Sequence, residues 1–331
     1  MLESNDYVHV ISLDFSKAFD TVCHSSLFSK LAALNITDEL YNWLISYYSE
    51  RSHTTKFFGN SSNSAYFNAG IVQGSALGPP AFVVTSSDLV AVTPGNKLDK
   101  YADDTYLVVP GKNSNSINTE ICNITTWASC NNLKLNINKS KEMIVTSTRK
   151  KISDSGLPPI LPNIERVCSM NILGVTVTNI LSMSEHVESI VNRCTQLFYG
   201  LKILKHHGLS KQNLDSAFKS LVLSKLTYAS PAWKGFLSSC DLKKLHSVLG
   251  RGHKWGLSSE HVDLEELLNR ADTVLFKGIL TNKQHVLSPF LPPSKEITYS
   301  LRPKIHNHIL PTKNKFSAKN FLDRMLYKGC Y

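Results

Sequence analysis

Lys100 to Val109 reads KYADDTYLVV, with two adjacent aspartates, Asp103 and Asp104, inside an apolar, β-prone run. An unpaired buried carboxylate is costly, or its pKa shifts until it is neutral, so acidic residues in such a segment need a reason. The stretch KLDKYADDTYLVVPG predicts two strands joined by a tight turn at the aspartates. One explanation is a turn that happens to be acidic. The other is a pair of metal ligands carried on strands, which requires a third carboxylate elsewhere.

The third carboxylate has a natural place. YVHVISLDF, from Tyr7 to Phe15, is β-branched and partly alternating and predicts a strand ending near Asp14. Nucleotidyl transfer by two divalent ions needs carboxylates from separate strands converging on one point, where they hold the ions roughly 4 Å apart. Magnesium takes a few carboxylates and completes its shell with water and substrate phosphates. Asp14 at one strand end and Asp103–Asp104 on a neighbouring hairpin satisfy that requirement. Strand alternation puts Asp103 and Asp104 on different faces, so the two would play unequal parts.

Around these segments the pattern alternates between helix and strand. SSLFSKLAALNI predicts a helix capped by Ser25 or Ser26, and DELYNWLISYYSE a second. RSHTTKFFGNSSNSAYFNAG has hairpin character around its Gly/Asn/Ser turn. IVQGSALGPPAF is a glycine- and proline-punctuated loop leading into an apolar segment. NTEICNITTWASC reads as a helix, followed by a loop with Lys139 and Lys141 and then a strand. Residues 149–163, basic and then proline-rich, read as a linker, and MNILGVTVTN as a short strand pair. From Ser184, taken as an N-cap, the character is helical. KQNLDSAFKSLVLSKLTYAS is expected to stop at Pro231, and DLKKLHSVLGRG follows as a further helix.

The bulk numbers narrow the class. With 331 residues and 42% hydrophobic composition the chain can build substantial cores. Its 36 Lys and Arg against 26 Asp and Glu give a net charge of +10, which favours polyanion partners. Seven cysteines without a CxxC pair argue against a disulfide scaffold or a zinc ribbon and for a reducing, intracellular setting. No apolar run approaches a membrane span, and the N-terminus lacks a signal-peptide layout. His206–His207 and Cys240 with His246 lack zinc-site spacing and read as non-ligands.

Taken in order, LDFSKAFDTVCHSSLFSKL, GIVQGSALGPPAF, KYADDTYLVV, LKLNINKSKEMIV and NILGVTVT resemble motifs A to E of reverse transcriptases, specifically those of non-LTR (LINE-type) retrotransposons of the jockey/CR1 kind. The resemblance covers residues 5–178, and the helical remainder with LTYASPAW resembles the C-terminal part of such elements. It implies an α/β (α+β) polymerase palm of the right-hand type over residues 1–150. A linker and primer-grip hairpin would follow over 151–182, a helical thumb over 183–290, and a basic, loosely packed tail over 291–331. It implies an RNA-directed DNA polymerase using two Mg²⁺ ions (Mn²⁺ as substitute), an RNA template, a DNA primer and dNTPs, in the nucleus and cytoplasm.

Residue by residue, the resemblance assigns catalysis and metal binding to Asp14, Asp103 and Asp104. Phe19, five positions beyond Asp14, falls on the steric gate that would reject a ribose 2′-OH. Asp20 reads as a helix cap. Gln73 and Gly74 match the pair lying against the incoming nucleotide and template, though Val72 stands where the family commonly has proline. Lys139 matches the lysine that would neutralise or protonate pyrophosphate. Tyr101, Leu173 and Gly174 match primer-positioning residues. Before motif A the family carries a fingers segment, which this chain is expected to lack. The expectation is therefore an N-terminally truncated fragment, either an enzyme or a catalytically silent remnant that binds nucleic acid through its charge.

Overall fold

The β-branched run YVHVISL forms β1 (Tyr7–Leu13), the strand around which the first half of the chain is built. The structure is a computed structural model and describes residues 1–146, 157–295, 305–314 and 317–328. It divides the chain into two compact units, Met1–Ser169 and Met170–Tyr331. That boundary falls inside the segment 151–182 expected as linker and hairpin.

In the first unit β1 is followed by the single turn α1 (Ala18–Thr21), then α2 (His24–Ala32) and α3 (Asp38–Tyr48). Neither Ser25 nor Ser26 caps α2. Cys23 occupies the N-cap position, held by a bridge to Ala69, while the His24 amide donates to Asn68 O at 3.3 Å. A cross-chain pairing sets this helix start, so the local serine signal misleads. At α3 Thr37 accepts from the Leu40 amide, and Asp38 and Glu39 face the positive end of the helix dipole.

A nested hairpin follows: β2 (Ser52–His53) pairs with β5 (Ala65–Tyr66), and inside it β3 (Lys56–Phe57) pairs with β4 (Asn60–Ser61). Then come α4 (Gly78–Thr85), with proline in its first turn, β6 (Lys97–Tyr101), β7 (Asp104–Pro110), α5 (Ile117–Cys130), β8 (Lys141–Thr146) and β9 (Glu165–Arg166). The sheet order is β6-β7-β1-β8-β9, antiparallel except for β8 with β9. One core joins Ile11 and Leu107 of the sheet to Leu27 of α2, Phe82 of α4 and Ile124 of α5. β8 is tied to β1 and β9 by a buried ion pair. Glu142 meets His9 Nδ1 at 2.8 Å and Arg166 at 2.7 Å, so neither carboxylate oxygen is left unpaired.

The second unit starts with β10 (Ser169–Ile172), whose first residue lies on the boundary, hairpinned to β11 (Val175–Thr178). Helices α6 (Ser184–His206), α7 (Lys211–Phe218), a π-helical turn over Lys219–Leu223, and α8 (Ser224–Thr227) follow. Next are α9 (Ser230–Trp233), α10 (Ser239–Lys254), α11 (Leu264–Thr281) and α12 (Phe321–Tyr327). Three expectations change here. Ser184 is the first residue of α6 and does not cap it; its hydroxyl donates to Asp241 at 3.3 Å. Pro231 opens α9 and does not end the preceding helix, which breaks earlier, at Tyr228–Ala229. Ala229 there has φ 50°, and the Trp233 indole donates to Tyr228 O at 3.0 Å.

The third change concerns the tail. Residues 296–304, 315–316 and 329–331 lie outside the described residues, but α12 is not loosely packed. Phe321, Met325 and Leu326 are buried with Phe276 and Ile279 of α11. Of the expected linker, residues 149–156 likewise lie outside the described residues.

Candidate active site

The sheet register brings the aspartates together. Along β1 and β7, Ser12 faces Tyr106 and Leu13 faces Thr105, so the residues one step beyond that pair are Asp14 and Asp104. β6 and β7 close at the pair Tyr101–Asp104, leaving Ala102 and Asp103 as a two-residue turn. Ala102 takes φ 51°, the left-handed geometry that such a tight connection demands of one turn residue. Asp103 therefore sits on the turn and not on a strand face, so the alternation expected for Asp103 and Asp104 does not apply. KYADDTYLVV is both an acidic turn and one half of a carboxylate group.

Asp104 senses the other two carboxylates. Partial burial pushes the Asp104 carboxyl up, and the charges of Asp103 and Asp14 push it further in the same direction. Among the described residues no Lys, Arg or His forms an ion pair with any of the three. Nor do three His, Cys, Asp or Glu side chains there already stand close enough to hold a metal ion together. The donor set is three oxygen-bearing, mutually repelling carboxylates, chemistry that suits a hard divalent cation.

The backbone beyond β1 is fixed by the segment before β8. Asp14 O accepts from the Asn136 amide at 2.8 Å, the Ser16 amide donates to Lys134 O at 2.9 Å, and Phe15 bridges Leu135. The Ser140 hydroxyl accepts from the Asp14 amide at 3.4 Å. Lys139 is exposed on this same turn, its amide donating to Asn136 O at 3.2 Å.

A second clamp joins α1 to the loop before α4. The Ile71 amide donates to Phe19 O at 2.7 Å, the Gly70 amide to Val22 O at 2.8 Å, and the His24 ring to Gly70 O at 2.7 Å. A Cβ on Gly70, which has φ 93°, would meet Asp20 O at 2.9 Å, so this crossing needs glycine. Asp20 does not cap a helix. It lies within α1, and its carboxylate accepts from the Gln73 amide nitrogen at 2.8 Å.

The two clamps border a cleft of about 370 Å³ whose lining includes Phe15, Phe19, Val72, Gln73, Gly74 and Asp103. Phe19 stacks on Phe82 at 5.0 Å and 23°, which fixes its ring at the cleft. Gly74 has φ 78° and open space where a side chain would stand. Tyr101 is largely exposed at the end of β6. Leu173 and Gly174 belong to the second unit, at the turn of the β10–β11 hairpin. There the Tyr228 hydroxyl donates to Leu173 O at 2.9 Å, and the Tyr228 ring lies 3.2 Å from where a Cβ of Gly174 would stand. Sequence reasoning missed the linking roles of Asp20, His24 and Tyr228. In each case the partner is distant along the chain and leaves no local pattern.

A mixed α and β fold with acidic residues at adjacent ends of antiparallel strands, beside a cleft edged by a glycine loop, is consistent with a polymerase palm. Residues 1–177 match the model of the reverse transcriptase (RNA-dependent DNA polymerase) family, and the chain belongs to that family. It is 28% identical over 200 residues to the RNA-directed DNA polymerase from mobile element jockey of Drosophila melanogaster, covering 57% of this chain and 22% of that protein. To the probable RNA-directed DNA polymerase from transposon X-element of the same fly it is 27% identical over 264 residues, covering 74% and 28%. The chain thus spans less than a third of the length of these relatives. Among solved structures it is similar to telomerase from Candida tropicalis in complex with a fragment of telomeric RNA. That likeness has a TM-score of 0.45 and 15% identity, covering 86% of this chain and 49% of the other. The resemblance to non-LTR retrotransposon enzymes is borne out by the mobile-element relatives.

Proposed function

We propose that this chain carries the palm of an RNA-directed DNA polymerase that extends a DNA primer along an RNA template. The observation that carries the reading is the register of β1 with β7, which puts Asp14 beside Asp104 with Asp103 on the adjoining turn. Asp14, Asp103 and Asp104 would hold two divalent cations, Mg²⁺ or in its place Mn²⁺. When bound, these ions supply activation of the primer 3′-OH and neutralisation of charge on the transferred phosphate. Phe19, fixed by Phe82, would exclude a nucleotide bearing a 2′-OH. Gln73, oriented by Asp20, and Gly74, free of a side chain, would lie against the incoming dNTP. Lys139 would donate charge or a proton to the pyrophosphate. Tyr101 would lie near the primer terminus, and Leu173 and Gly174 would position the primer. The helices within residues 183–290 would serve as the thumb, their lysines following the duplex phosphates in a salt-dependent manner.

The test is extension of a DNA primer on an RNA template with Mg²⁺ and dNTPs, compared between the chain and its Asp103→Ala variant. Extension should fall to background in the variant while the affinity for primer–template stays within a few-fold. Extension that survives the substitution would sink the assigned role of Asp103. Binding without extension by the unsubstituted chain would favour a catalytically silent nucleic-acid binder.

A further inference from the structure

The β2–β5 hairpin spends stability without recovering it in packing. Its tip is a two-residue turn, Phe58–Gly59, enclosed by the pair Phe57–Asn60, and both turn residues have positive φ, 44° and 82°. Asn-Gly is the pair such a turn favours, and a bulky aromatic at its first position is strained. Nor does Phe58 recover that strain by burial: it is 89% exposed, Phe57 71% and Tyr66 80%. Phe57 and Phe58 stand edge to face, centroids 4.6 Å apart, and present ring surface to solvent. A residue that breaks a local rule with no return inside the fold points to a ligand outside it.

Charge and continuity identify the ligand class. From Arg51 to Ala69 there is no Asp or Glu, while Arg51 and Lys56 supply positive charge and His53 an aromatic ring. Arg51 is held over the Tyr47 ring at 4.9 Å, and Tyr47 stacks on the exposed Trp43 at 5.6 Å. At the foot of the hairpin the rings of His53 and Phe67 stand 5.8 Å apart, and both line a second cleft of about 360 Å³. Val72 and Gln73 line this cleft and the one bordered by Phe19 and Asp103. The acid lining this cleft, Asp20, would repel a phosphate, so the second cleft suits a base better. Aromatic faces interleaved with cations and free of acids form the stacking platform that single-stranded nucleic acid uses whatever its sequence.

We propose that the β2–β5 hairpin binds the single-stranded part of the template, stacking its unpaired bases on Phe58, Phe57 and Tyr66 on their way to the His53–Phe67 cleft. The inference rests on the polymerase reading above for the identity of the strand, and its readout is binding, independent of turnover. The experiment measures the affinity of the full chain, at one fixed salt concentration, for two primer–templates: one blunt, one with a 5′ single-stranded RNA overhang. The overhang should strengthen binding by about tenfold or more. Phe57→Ala/Phe58→Ala and Tyr66→Ala should each remove most of that gain and leave blunt binding unchanged. Phe58→Asn, which suits the turn, should melt no lower than the unsubstituted chain and still lose the gain, which separates stacking from folding. Equal affinity for the two substrates, or equal losses on both in the variants, overturns the proposal. An overhang preference without any primer extension would preserve the platform and remove the polymerase reading, so the two fail separately.

Discussion

Asp20 shows how one side chain sets the chemistry of another. A carboxylate can only accept, so the Gln73 amide must turn its nitrogen toward Asp20, at 2.8 Å, which leaves its carbonyl oxygen as the free hydrogen-bonding group. Asp20→Ala should let the amide rotate and raise KM for dNTP several-fold with a smaller change in kcat. Asp20→Asn, whose carbonyl can still accept, should restore part of the loss. Steady-state kinetics on one primer–template check this, and an unchanged KM would remove Asp20 from the positioning role. Phe19 gives a second prediction at this scale. Its ring is immobilised on Phe82, so Phe19→Val should open the space beside the sugar and lower discrimination against rNTPs by about tenfold or more, read from single-nucleotide incorporation. The convergence of the three aspartates was legible in the sequence because carboxylates at the ends of apolar strands carry an evident cost. Asp20 was not, since helix-cap preferences are local and its partner lies 53 residues away.

Among the elements, the β6–β7 hairpin bearing Asp103 and Asp104 depends on one buried carboxylate. Glu120 of α5 accepts from the Val92 amide at 3.0 Å, the Thr93 amide at 2.8 Å and the Asn96 side chain at 2.8 Å, and so fixes the loop that enters β6. Burial pushes the Glu120 carboxyl up, but the Asn96 and backbone hydrogen bonds together outweigh it and hold the group below its ordinary value of 4.5. A lowered pKa in the folded state means that this stabilisation is fully present above pH 4.5 and is lost as the pH falls below it. Glu120→Gln keeps a carbonyl oxygen for the Thr93 and Asn96 donors but opposes the Val92 amide with its own NH2, and should cost about 1–3 kcal/mol near neutral pH. Thermal melts down through the acid range should show the gap between variant and unsubstituted chain narrowing. A constant gap would mean that Glu120 acts through shape alone. Periodicity and turn residues made β1, α2, α3, α5 and the hairpins β2–β5, β6–β7 and β10–β11 legible. They failed at Pro231, because proline marks a helix start as readily as a stop. The break comes instead from Ala229 at φ 50° and the Trp233–Tyr228 hydrogen bond, which no local pattern reveals.

For the molecule as a whole, composition misleads where a basic or proline-rich stretch is recruited to neutralise a buried acid. Pro158 and Pro159 look like linker, yet their carbonyls accept from Arg166 at 2.7 and 2.9 Å while Arg166 pairs with buried Glu142, so they belong to the first unit. The second unit repeats the device. Asp272 of α11 is 1% exposed and is met by Arg324 of α12 at 2.6 Å and by Lys234 at 3.2 Å. The cation that makes the tail read as solvated is therefore one that anchors it. Removing one partner of a buried ionic group leaves uncompensated charge, so Asp272→Ala, with two half-buried cations facing each other, should destabilise the second unit by about 3–5 kcal/mol. Asp272→Leu/Arg324→Leu should recover much of the loss, since an apolar replacement removes the charge along with its desolvation cost. Peptide-resolved hydrogen exchange separates the units: Asp272→Ala should speed exchange in α11 and α12 and leave β1 and β7 at their original rates. Equal acceleration in β1 and β7 would mean that the two units unfold as one cooperative body, and the ionic anchor would then hold the whole chain.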